Sequence, residues 1–353
     1  MYCIQIRITF VPQNFNVILM KAKKIIFTII SVAIGLFFIV SAVLKIFTIK
    51  EFELYIYSYG IFNYTLCTLF ARCLIAFEMC AGLCLALKWW YRLAWWLMQI
   101  SLLGFTVFLI FAQLRGDANC HCMGDFVELN PLQSMIKNFI IMALLLVVRN
   151  QENWNFKFEK IVKPLIVIIV AAIPFIVMPP EVLYNKIYSS DRNINTPLFE
   201  KALSDSSFYQ CYPVIHPNYE YDSTTFVAEE KPLELTGKNI LLFAHAGCKF
   251  CREGAKRLSL FFRENKFDRK RCKVLIFGNF PPLSTYDFIK GTEAYGFEYR
   301  EINPITSLDI VDGQFPTFLL MQDDSIVKSF DLWGLEESTI KEFLETEPII
   351  NKQ

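Results

Sequence analysis

The sequence predicts a membrane protein with five transmembrane helices, followed by a soluble α/β domain. Hydrophobic residues make up 54% of the 353 residues and are concentrated before about residue 180. The mean hydropathy of +0.36 exceeds that of ordinary soluble domains. After residue 238, short apolar runs alternate with amphipathic segments, a pattern typical of α/β domains. This pattern predicts strands at 273–279, 317–321 and 325–330 and helices at 284–296 and 336–345. The chain has 35 basic and 34 acidic side chains, so we expect no nucleic-acid-binding surface.

Five apolar stretches are long enough to cross a bilayer, which takes about 20 helical residues. They cover residues 25–47, 66–87, 93–114, 132–149 and 161–180. Residues 1–24 are interpreted as a cytoplasmic N-terminal segment. Met20 and the lysines after it are typical of a natural start. We therefore interpret the nineteen residues before Met20 as an upstream extension rather than as a cleaved signal peptide.

The distribution of basic residues predicts the orientation of the spans. Most of the basic residues near the span ends fall on one side of the membrane, namely Arg7, Lys21, Lys23, Lys24, Lys88, Arg92, Arg149, Lys157, Lys160 and Lys163. The positive-inside rule places this side in the cytoplasm of a bacterial inner membrane, with the aromatic residues of segment 89–96 as an interfacial anchor. Cys120, Cys122 and everything after residue 180 are then expected in the periplasm, which is oxidising.

Cys248 and Cys251 form a C-x-x-C pair between a predicted strand and a predicted helix. A helix N-terminus favours an anion, so Cys248 is expected to be the nucleophilic thiolate. Cys251 lies one turn further along and is expected to resolve mixed disulfides. Lys249 and Arg252 are expected to favour the thiolate further. The alternatives are a structural pair or half of a zinc site, but no second C-x-x-C follows.

The segment around this pair resembles the thioredoxin fold. LLFAHAGCKFC stands where that family has its strand and active-site pair, and Phe315-Pro316-Thr317 stands where it places a cis-proline. The resemblance implies a thioredoxin-like domain over residues 236–350, in which Phe315 and Pro316 contact the substrate. Leu242 replaces a buried carboxylate that reducing thioredoxins often keep, and Gly247 replaces a tryptophan. Both departures argue against a plain thioredoxin-reductase-coupled role.

The membrane half resembles the DoxX-like family, and within it the MauE (methylamine utilisation) branch. The resemblance rests on the runs GLFFIVSAVLKIFTIKEFELYIYSYGI, AFEMCAGLCLAL and ANCHCMGD. It implies a membrane all-α four-helix bundle over residues 25–149. Residues 150–180 then form a loop and a fifth transmembrane helix, and residues 181–235 a periplasmic linker or extension. The resemblance further implies support of disulfide formation or electron transfer for a periplasmic partner.

Cys120 and Cys122 form a C-x-C pair in the short loop after the third span. A disulfide between them would close a small, strained ring, and strained disulfides are more oxidising. This property suits a redox relay at the membrane surface. The alternatives are two unrelated thiols or a metal site made of Cys120, His121, Cys122 and Asp125; our prediction includes no metal.

Glu78 lies near the middle of the second span, where a carboxylate is costly. We expect it inside the bundle, beside a helix that approaches closely at Gly82. Glu78 could take part in proton handling or quinone contact, or it could form a structural hydrogen bond. Lys45 and Arg72 are expected to extend to the membrane interface. Three cysteines share one helix face and form either a path of thiols or ordinary packing: Cys73, Cys80 and Cys84.

These features predict a membrane-bound thiol–disulfide oxidoreductase. Cys248 and Cys251 would exchange disulfides with cysteine-containing periplasmic client proteins and with the Cys120/Cys122 pair. The bundle would exchange electrons with an acceptor such as a quinone, and no covalently bound cofactor is expected. The absent carboxylate favours the oxidising direction. The alternatives are a conduit of reductant from the cytoplasm and a non-catalytic assembly or maturation factor that binds a periplasmic partner.

Overall fold

The computed structural model describes residues 13–117, 119–124, 129–180, 187, 189–205, 209–222, 224–227 and 235–346. Arg7, Asp125 and parts of the predicted linker 181–235 lie outside the described residues. The chain divides into two compact units. The first unit is Met1–Phe52 with Leu69–Pro179, and the second is Glu53–Thr68 with Pro180–Gln353.

The first unit is helical. Its helices, two of which continue into the second unit, are α1 (Gln13–Phe47), α2 (Ile49–Tyr57), α3 (Tyr64–Ala86), α4 (Tyr91–Arg115), α5 (Pro131–Val147) and α6 (Glu159–Val177). Within the described residues, four helices are long and apolar enough to cross a membrane: Met20–Phe47 of α1, α3, α4 and α6. Helix α5, at the position of the predicted span 132–149, is apolar but only 17 residues long.

Helices α4 and α5 form an antiparallel pair joined by side-chain hydrogen bonds. Side chains of α4 donate to carbonyl oxygens at or near the end of α5 in regular order: Tyr91 to Val148 (2.7 Å), Trp95 to Leu145 (2.7 Å) and Gln99 to Met142 (3.2 Å). Near the other end, Asn138 donates to Thr106 at 3.3 Å. The pairing therefore follows most of the length of α5.

The predicted aromatic anchor is divided between the interior and the surface of the bundle. Trp89, Tyr91 and Trp95 are buried, whereas Trp90 and Trp96 are exposed. Because Tyr91 and Trp95 carry polar groups, their burial is accompanied by the hydrogen bonds to α5. Burial inside the bundle does not test the depth of these residues in the membrane, so their position at the interface stays a prediction.

Helices α1 and α3 approach each other closely at two glycines. A Cβ added to Gly35 would lie 2.5 Å from the carbonyl oxygen of Gly82, and one added to Gly82 would lie 2.7 Å from that of Gly35. The close helix expected beside Gly82 is confirmed. The cysteines of α3 have dissimilar surroundings. Cys73 is exposed, the Cys80 thiol donates a hydrogen bond to the carbonyl of Val167, and Cys84 is buried.

The second unit contains a six-stranded sheet in the order β1-β4-β3-β2-β5-β6. The strands are β1 (Tyr209–Cys211), β2 (Lys238–His245), β3 (Cys272–Phe277), β4 (Glu298–Ile302), β5 (Thr317–Gln322) and β6 (Ser325–Phe330). Strands β2, β3 and β4 are parallel, whereas β5 is antiparallel to β2 and to β6, and β1 is antiparallel to β4. The helices are α7 (Thr196–Ser204), α8 (Lys249–Glu264), α9 (Leu283–Thr292), α10 (Pro304–Ile310) and α11 (Glu337–Glu345).

Helices cover both faces of this sheet, because alternate residues of its central strands are apolar on both sides. On one face, Leu242 of β2 belongs to a buried cluster with Leu258 of α8. On the other face, Phe243 of β2 packs with Phe199 of α7 and Ile310 of α10. The result is a three-layer α/β/α arrangement.

Most of the α/β elements expected from the sequence are confirmed. The predicted strand and helix on either side of the C-x-x-C pair, the strands 273–279, 317–321 and 325–330, and the helix 336–345 are present within a few residues. The predicted helix 284–296 ends at Thr292. Strand β4 was missed because its sequence, EYREI, carries three charged residues.

The segment Glu53–Thr68 packs against α8 within the second unit. The guanidinium of Arg257 lies 4.0 Å from the ring centre of Tyr64 and donates to the carbonyl of Leu335 at 2.8 Å. Leu260 of α8 packs in an apolar cluster with Tyr57 and Tyr64. The segment that links the first two predicted spans in sequence therefore folds with the α/β unit.

Candidate functional site

The C-x-x-C pair lies at the junction of β2 and α8. Strand β2 ends at His245, whose carbonyl accepts a hydrogen bond from the N–H of Cys248 at 3.0 Å. Cys248 is the N-cap of α8, and its Sγ accepts a hydrogen bond from the N–H of Cys251 at 3.4 Å. A side chain at this position satisfies one of the free N–H groups at the start of the helix. The predicted placement of Cys248 is therefore confirmed.

The two thiols have opposite acid–base character. Hydrogen bonds from the Cys251 thiol and from the backbone N–H groups of Cys251 and Phe250 lower the pKa of Cys248 to about 6, although burial opposes this shift. The hydrogen bond to Cys248 and burial raise the pKa of Cys251. Cys251 shares its apolar cluster with Leu242. At neutral pH the geometry therefore favours a thiolate on Cys248 and a thiol on Cys251.

The guanidinium of Arg252 has hydrogen-bond partners in the backbone around the junction. Arg252 donates to the carbonyl of Ala246 at 2.9 Å and to that of Asp287 at 3.4 Å. Its guanidinium therefore joins the junction to α9. The pKa of Cys248 is lowered mainly by the hydrogen bonds described above, with a smaller contribution from His245. A contribution of charge from Lys249 and Arg252 stays a prediction.

Phe315 and Pro316 lie immediately before β5, beside the C-x-x-C junction. Thr317 pairs with Phe243 of β2, so the antiparallel register places Pro316 next to the end of β2. The Phe315–Pro316 peptide bond is cis, as the resemblance implied. Phe315 and Cys248 are both partly buried against one apolar cluster. The structure thus brings the predicted substrate-contact residues to the same edge of the sheet as the C-x-x-C pair.

Two aromatic side chains that the sequence did not single out lie near Cys248. Phe250, within the C-x-x-C pair, has 53% of its surface exposed. Its ring centre lies 6.5 Å from that of Trp333 in an edge-on arrangement. The available signal in the sequence was an aromatic residue between the two cysteines. These rings give the surface around Cys248 an apolar character.

The C-x-C pair lies in the loop between α4 and α5, at the first helical turns of α5. The Sγ of Cys120 lies 2.9 Å from the hydroxyl of Ser134 and accepts a hydrogen bond from the N–H of Cys122 at 3.3 Å. The N–H of Cys120 donates to the carbonyl of Leu129. Because both hydrogen-bonding partners of the Cys120 sulfur can act as donors, the loop is suited to hold a thiolate there.

The C-x-C thiols are also unequal. Hydrogen bonds to the Cys122 thiol, the Ser134 hydroxyl and the Cys122 N–H lower the pKa of Cys120 to about 6, although burial opposes the shift. The hydrogen bond to Cys120 and burial raise the pKa of Cys122, while Lys137 and Lys45 lower it. Both cysteine pairs therefore contain one thiol that ionises readily and one that retains its proton.

The C-x-C loop packs on the last turns of α1. The hydroxyl of Ser41 donates to the carbonyl of Cys122 at 3.1 Å. Gly124 has a φ of +66°, and a Cβ added there would lie 2.5 Å from the hydroxyl of Thr48 and 2.9 Å from the carbonyl of Leu44. Glycine is therefore required at this position for two reasons, namely its backbone conformation and the contact with α1.

Glu78 forms a buried ion pair with Lys45. The two carboxylate oxygens lie 2.8 and 2.6 Å from the Lys45 Nζ, and the side chains are 4% and 3% exposed. The prediction that Glu78 faces the bundle interior is confirmed, whereas the interfacial position predicted for Lys45 was wrong. The available signal was that a carboxylate inside a membrane bundle needs a cation, and Lys45 lies in the adjoining span.

Arg72 is also buried rather than interfacial. It donates to the carbonyl of Met178 at 2.7 Å and to that of Pro179 at 3.1 Å. These carbonyls follow the end of α6, where a helix leaves its last carbonyl groups without intrahelical partners. The prediction for Arg72 was therefore wrong, and its side chain fixes the end of the last predicted span.

The proposed metal ligands are only partly described. Among the residues that the structure describes, no three His, Cys, Asp or Glu side chains are grouped so that they could hold a metal ion. Asp125, the fourth ligand of that alternative, lies outside the described residues. The absence of a metal therefore remains a prediction.

The chain has two informative similarities to known proteins. Residues 23–149 match the family described as methylamine utilisation protein MauE. The chain is similar to a protein named TlpB from Flavobacterium psychrophilum, with 26% identity over 311 residues that cover 78% of this chain and 83% of that protein. No solved structure matches the chain significantly. The chain is thus a membrane protein, and its residues 23–149 form a MauE-type module.

Proposed function

We propose that the chain is a membrane-bound thiol–disulfide oxidoreductase, with Cys248 as nucleophile and Cys251 as resolving thiol. The observation that carries the proposal is the opposite character of these two sulfurs. Cys248 is partly exposed and has a pKa of about 6, whereas Cys251 is buried and has a raised pKa. A thiolate is the form that attacks disulfides, so Cys248 is active at neutral pH.

The exchange reaction balances without a further reactant. The Cys248 thiolate attacks one sulfur of a client disulfide, a mixed disulfide forms, and the other client sulfur leaves as a thiolate. Cys251 then transfers its proton to that thiolate and attacks Cys248. The second client sulfur leaves as a thiolate, so the client is reduced and the Cys248/Cys251 pair is oxidised. The reverse sequence oxidises the client.

A thioredoxin-like fold for residues 236–350 is part of the proposal. It is supported by the C-x-x-C pair at the start of α8 after the parallel strand β2, and by the antiparallel hairpin β5–β6 beside β2. The position of Phe315 and Pro316 next to β2 further supports them as residues that contact the client chain. The exposed ring of Phe250 adds an apolar surface at the nucleophile.

We further propose that the Cys120/Cys122 pair exchanges disulfides with Cys248 and Cys251. In support, each pair contains one sulfur with a pKa of about 6, which gives both pairs an attacking or leaving thiolate at neutral pH. The MauE-type module would then exchange electrons with an acceptor in the membrane. A quinone is our candidate acceptor, and a DoxX-like relationship of the bundle also remains a proposal.

Five membrane crossings are proposed, with α5 as the fourth. The regular antiparallel hydrogen bonds from Tyr91, Trp95 and Gln99 support this topology, because a helix paired along α4 returns to the side where α4 began. A 17-residue helix is at the short end of the range that crosses a bilayer. Five crossings and a cytoplasmic N-terminus in a bacterial inner membrane place both cysteine pairs in the periplasm.

We favour the oxidising direction, in which clients receive disulfides. Leu242, rather than a carboxylate, lies in the cluster around Cys251, so no acid at that position accepts the resolving proton. The clients would be periplasmic proteins with cysteines. A steady-state pool of Cys248 and Cys251 that is mainly disulfide in growing cells is expected for an oxidase, whereas a mainly dithiol pool is expected for a conduit of reductant.

Trapping of mixed disulfides tests the function. In the Cys251→Ser variant, Cys248 lacks its resolving thiol and should remain bound to its exchange partner. A protease site inserted within residues 228–234 then separates the two cysteine pairs for non-reducing electrophoresis. We expect a disulfide link between the fragments that disappears when Cys120 or Cys122 is replaced, together with links to client proteins.

Two variants serve as controls in this experiment. Cys248→Ser in the same background should abolish every adduct, whereas Cys272→Ser should leave them unchanged, since Cys272 is fully buried in β3. Adducts with clients alone would reject the internal relay. No adduct at all, together with full activity of Cys248→Ser in cells, would favour the non-catalytic assembly factor.

A further inference from the structure

The buried pair of Lys45 and Glu78 needs an explanation beyond stability. Its side chains are 3% and 4% exposed, in a helical unit whose spans are otherwise largely apolar. Replacing a buried ion pair by apolar residues of similar volume is often neutral or stabilising, because removing two charges from water is costly. Ionisable residues inside a membrane bundle therefore point to a function.

The ammonium group is connected to the C-x-C loop by a directed chain of hydrogen bonds. Lys45 Nζ donates to the hydroxyl of Ser41 at 3.1 Å, and this hydroxyl donates to the carbonyl oxygen of Cys122 at 3.1 Å. A charged donor polarises the hydroxyl and strengthens its bond to the loop. Glu78 binds the same ammonium through both oxygens. Lys45 is therefore held between a carboxylate and the redox loop.

The position of the loop on α1 is fixed sterically. Gly124 lies against the carbonyl of Leu44, one residue before Lys45, and the hydroxyl of Thr48, three residues after it. The loop cannot move towards α1 there, and Ser41 binds it one turn earlier. Other groups that face the ammonium or the loop are the ring of Phe52, 6.0 Å from Nζ, and Lys137 on α5.

We propose that Lys45, held in place by Glu78 and Ser41, supplies the positive charge that stabilises a thiolate on the Cys120/Cys122 pair. The proposal rests on the proposed function in that the pair alternates between disulfide and dithiol. When an attacking thiolate opens the Cys120–Cys122 bond, one sulfur joins the mixed disulfide and the other leaves with the electron pair as a thiolate. Lys45 favours that leaving group, so it is a positioning residue that touches no client.

The charges around the C-x-C loop act on the pKa of Cys122 in the direction that this role requires. The hydrogen bond to Cys120 and burial raise the pKa of Cys122, whereas Lys137 and Lys45 lower it. Glu78 partly neutralises the ammonium and so limits the stabilisation. The two charges of the pair therefore have opposite effects on the thiolate, and substitutions of them should shift its formation in opposite directions.

The test measures alkylation of the C-x-C thiols against pH in purified full-length protein that carries Cys248→Ser and Cys251→Ser. The reduced protein is treated with iodoacetamide, and alkylation at Cys122, the thiol on which Lys45 acts, is quantified by mass spectrometry in the peptide after Arg115. In Lys45→Met/Glu78→Gln, which removes both charges without leaving one unpaired, we expect the midpoint of alkylation to rise by about one pH unit. Glu78→Gln alone should lower the midpoint. Lys45→Arg, which keeps the positive charge, should leave the midpoint at the parent value.

Lys88→Met is the matched control. Lys88 also donates to a hydroxyl of α1, that of Thr28 at 2.7 Å, but Thr28 and Lys45 are 17 residues apart, or about 25 Å along the helix. Its midpoint should equal that of the parent. A folded double variant with an unchanged midpoint would overturn the inference. The readout needs no turnover, so a shifted midpoint in a protein without disulfide exchange would reject the proposed function alone.

Discussion

The Sγ of Cys248 accepts a hydrogen bond from the N–H of Cys251 at 3.4 Å, at the first turn of α8. The same sulfur also accepts a hydrogen bond from the Cys251 thiol. This hydrogen bond makes the largest contribution to the lowered pKa of Cys248. A lowered pKa means that the thiolate is present above about pH 6 and is lost as the pH falls through that value. The reactivity of Cys248 should therefore be nearly constant from pH 7 upwards.

The first prediction concerns the alkylation of Cys248. In the reduced full-length protein, the rate of its reaction with iodoacetamide should reach half its maximum near pH 6. Cys251→Ala removes the thiol donor and should raise that midpoint towards the usual value of about 8.5, whereas Cys251→Ser keeps a donor and should shift it less. Cys272, fully buried and with a raised pKa, should not react in the folded protein. A midpoint near 8.5 in the parent protein would contradict the structure.

The second prediction concerns Gly124 in the C-x-C loop. Gly124→Ala places a Cβ 2.5 Å from the Thr48 hydroxyl at a φ of +66°. The contact with α1 should open, and Cys122 should react with a maleimide several-fold faster. Gly116→Ala is the control, since Gly116 has a φ of +83° but no atom within 4 Å of the added Cβ. The Gly116→Ala variant should lose only about 1–2 kcal/mol of folding stability, because alanine disfavours the left-handed backbone conformation. Equal maleimide rates in the two variants would mean that the contact with α1 is unimportant.

The third prediction concerns the crossing of α1 and α3. Gly82→Ala introduces a methyl group 2.7 Å from the carbonyl of Gly35, and overpacking of this kind costs about 1–3 kcal/mol. The thermal stability of the purified protein in detergent should fall. Gly104→Ala, in α4 with no atom within 4 Å, should leave it unchanged or raise it by up to about 1 kcal/mol through helix propensity. A neutral Gly82→Ala would contradict the close crossing.

Sequence reasoning succeeded where the determining interactions are local. The placement of Cys248 follows from a strand, a turn and a helix start that lie within a few residues of one another. The apolar spans likewise follow from continuous composition. In both cases the physical cause is contained in the segment itself, although α1 begins at Gln13, before the predicted start at residue 25, and α5 is shorter than the other spans.

Sequence reasoning failed where the partner lies on another element. The positions of Lys45 and Arg72 depend on the register of α1 against α3 and on the end of α6, and neither is encoded in a local pattern. Strand β4 was missed because three of its five residues, Glu298, Arg300 and Glu301, are charged, although the strand lies between β1 and β3. Burial of Arg300 in the sheet is a tertiary effect.

The fourth prediction concerns Arg257, which joins α8 to the segment Glu53–Thr68. It stacks on Tyr64 and donates to the carbonyls of Leu332 and Leu335 at 3.3 and 2.8 Å. Arg257→Met keeps an apolar stem but removes these bonds, so the free energy of unfolding of the α/β unit should fall by about 3 kcal/mol. Lys256→Met removes a more exposed ion pair, in which the Lys256 Nζ lies 3.6 Å from the Glu293 carboxylate. This change should lower the free energy of unfolding by less than about 1 kcal/mol.

Proteolysis of the full-length protein at increasing urea concentrations measures both variants. Arg257→Met should be cleaved within residues 238–345 at lower urea than the parent protein. Cleavage of the Lys256→Met variant should follow the parent. Equal resistance of Arg257→Met and Lys256→Met would mean that the stacked guanidinium does not stabilise this unit.

The fifth prediction concerns α5, whose crossing of the membrane determines the side on which the α/β unit lies. If α5 crosses, residues 119 and 346 are outside and residue 155 is inside, given a cytoplasmic N-terminus. Fusions of alkaline phosphatase after Asn119 and Thr346 should then be active, and a fusion after Asn155 should be inactive. If α5 does not cross, the fusions after Asn119 and Asn155 are active and that after Thr346 is inactive. The second pattern would place Cys248 in the reducing cytoplasm and separate it from Cys120 by the membrane, so the proposed exchange between the two pairs would have to be abandoned.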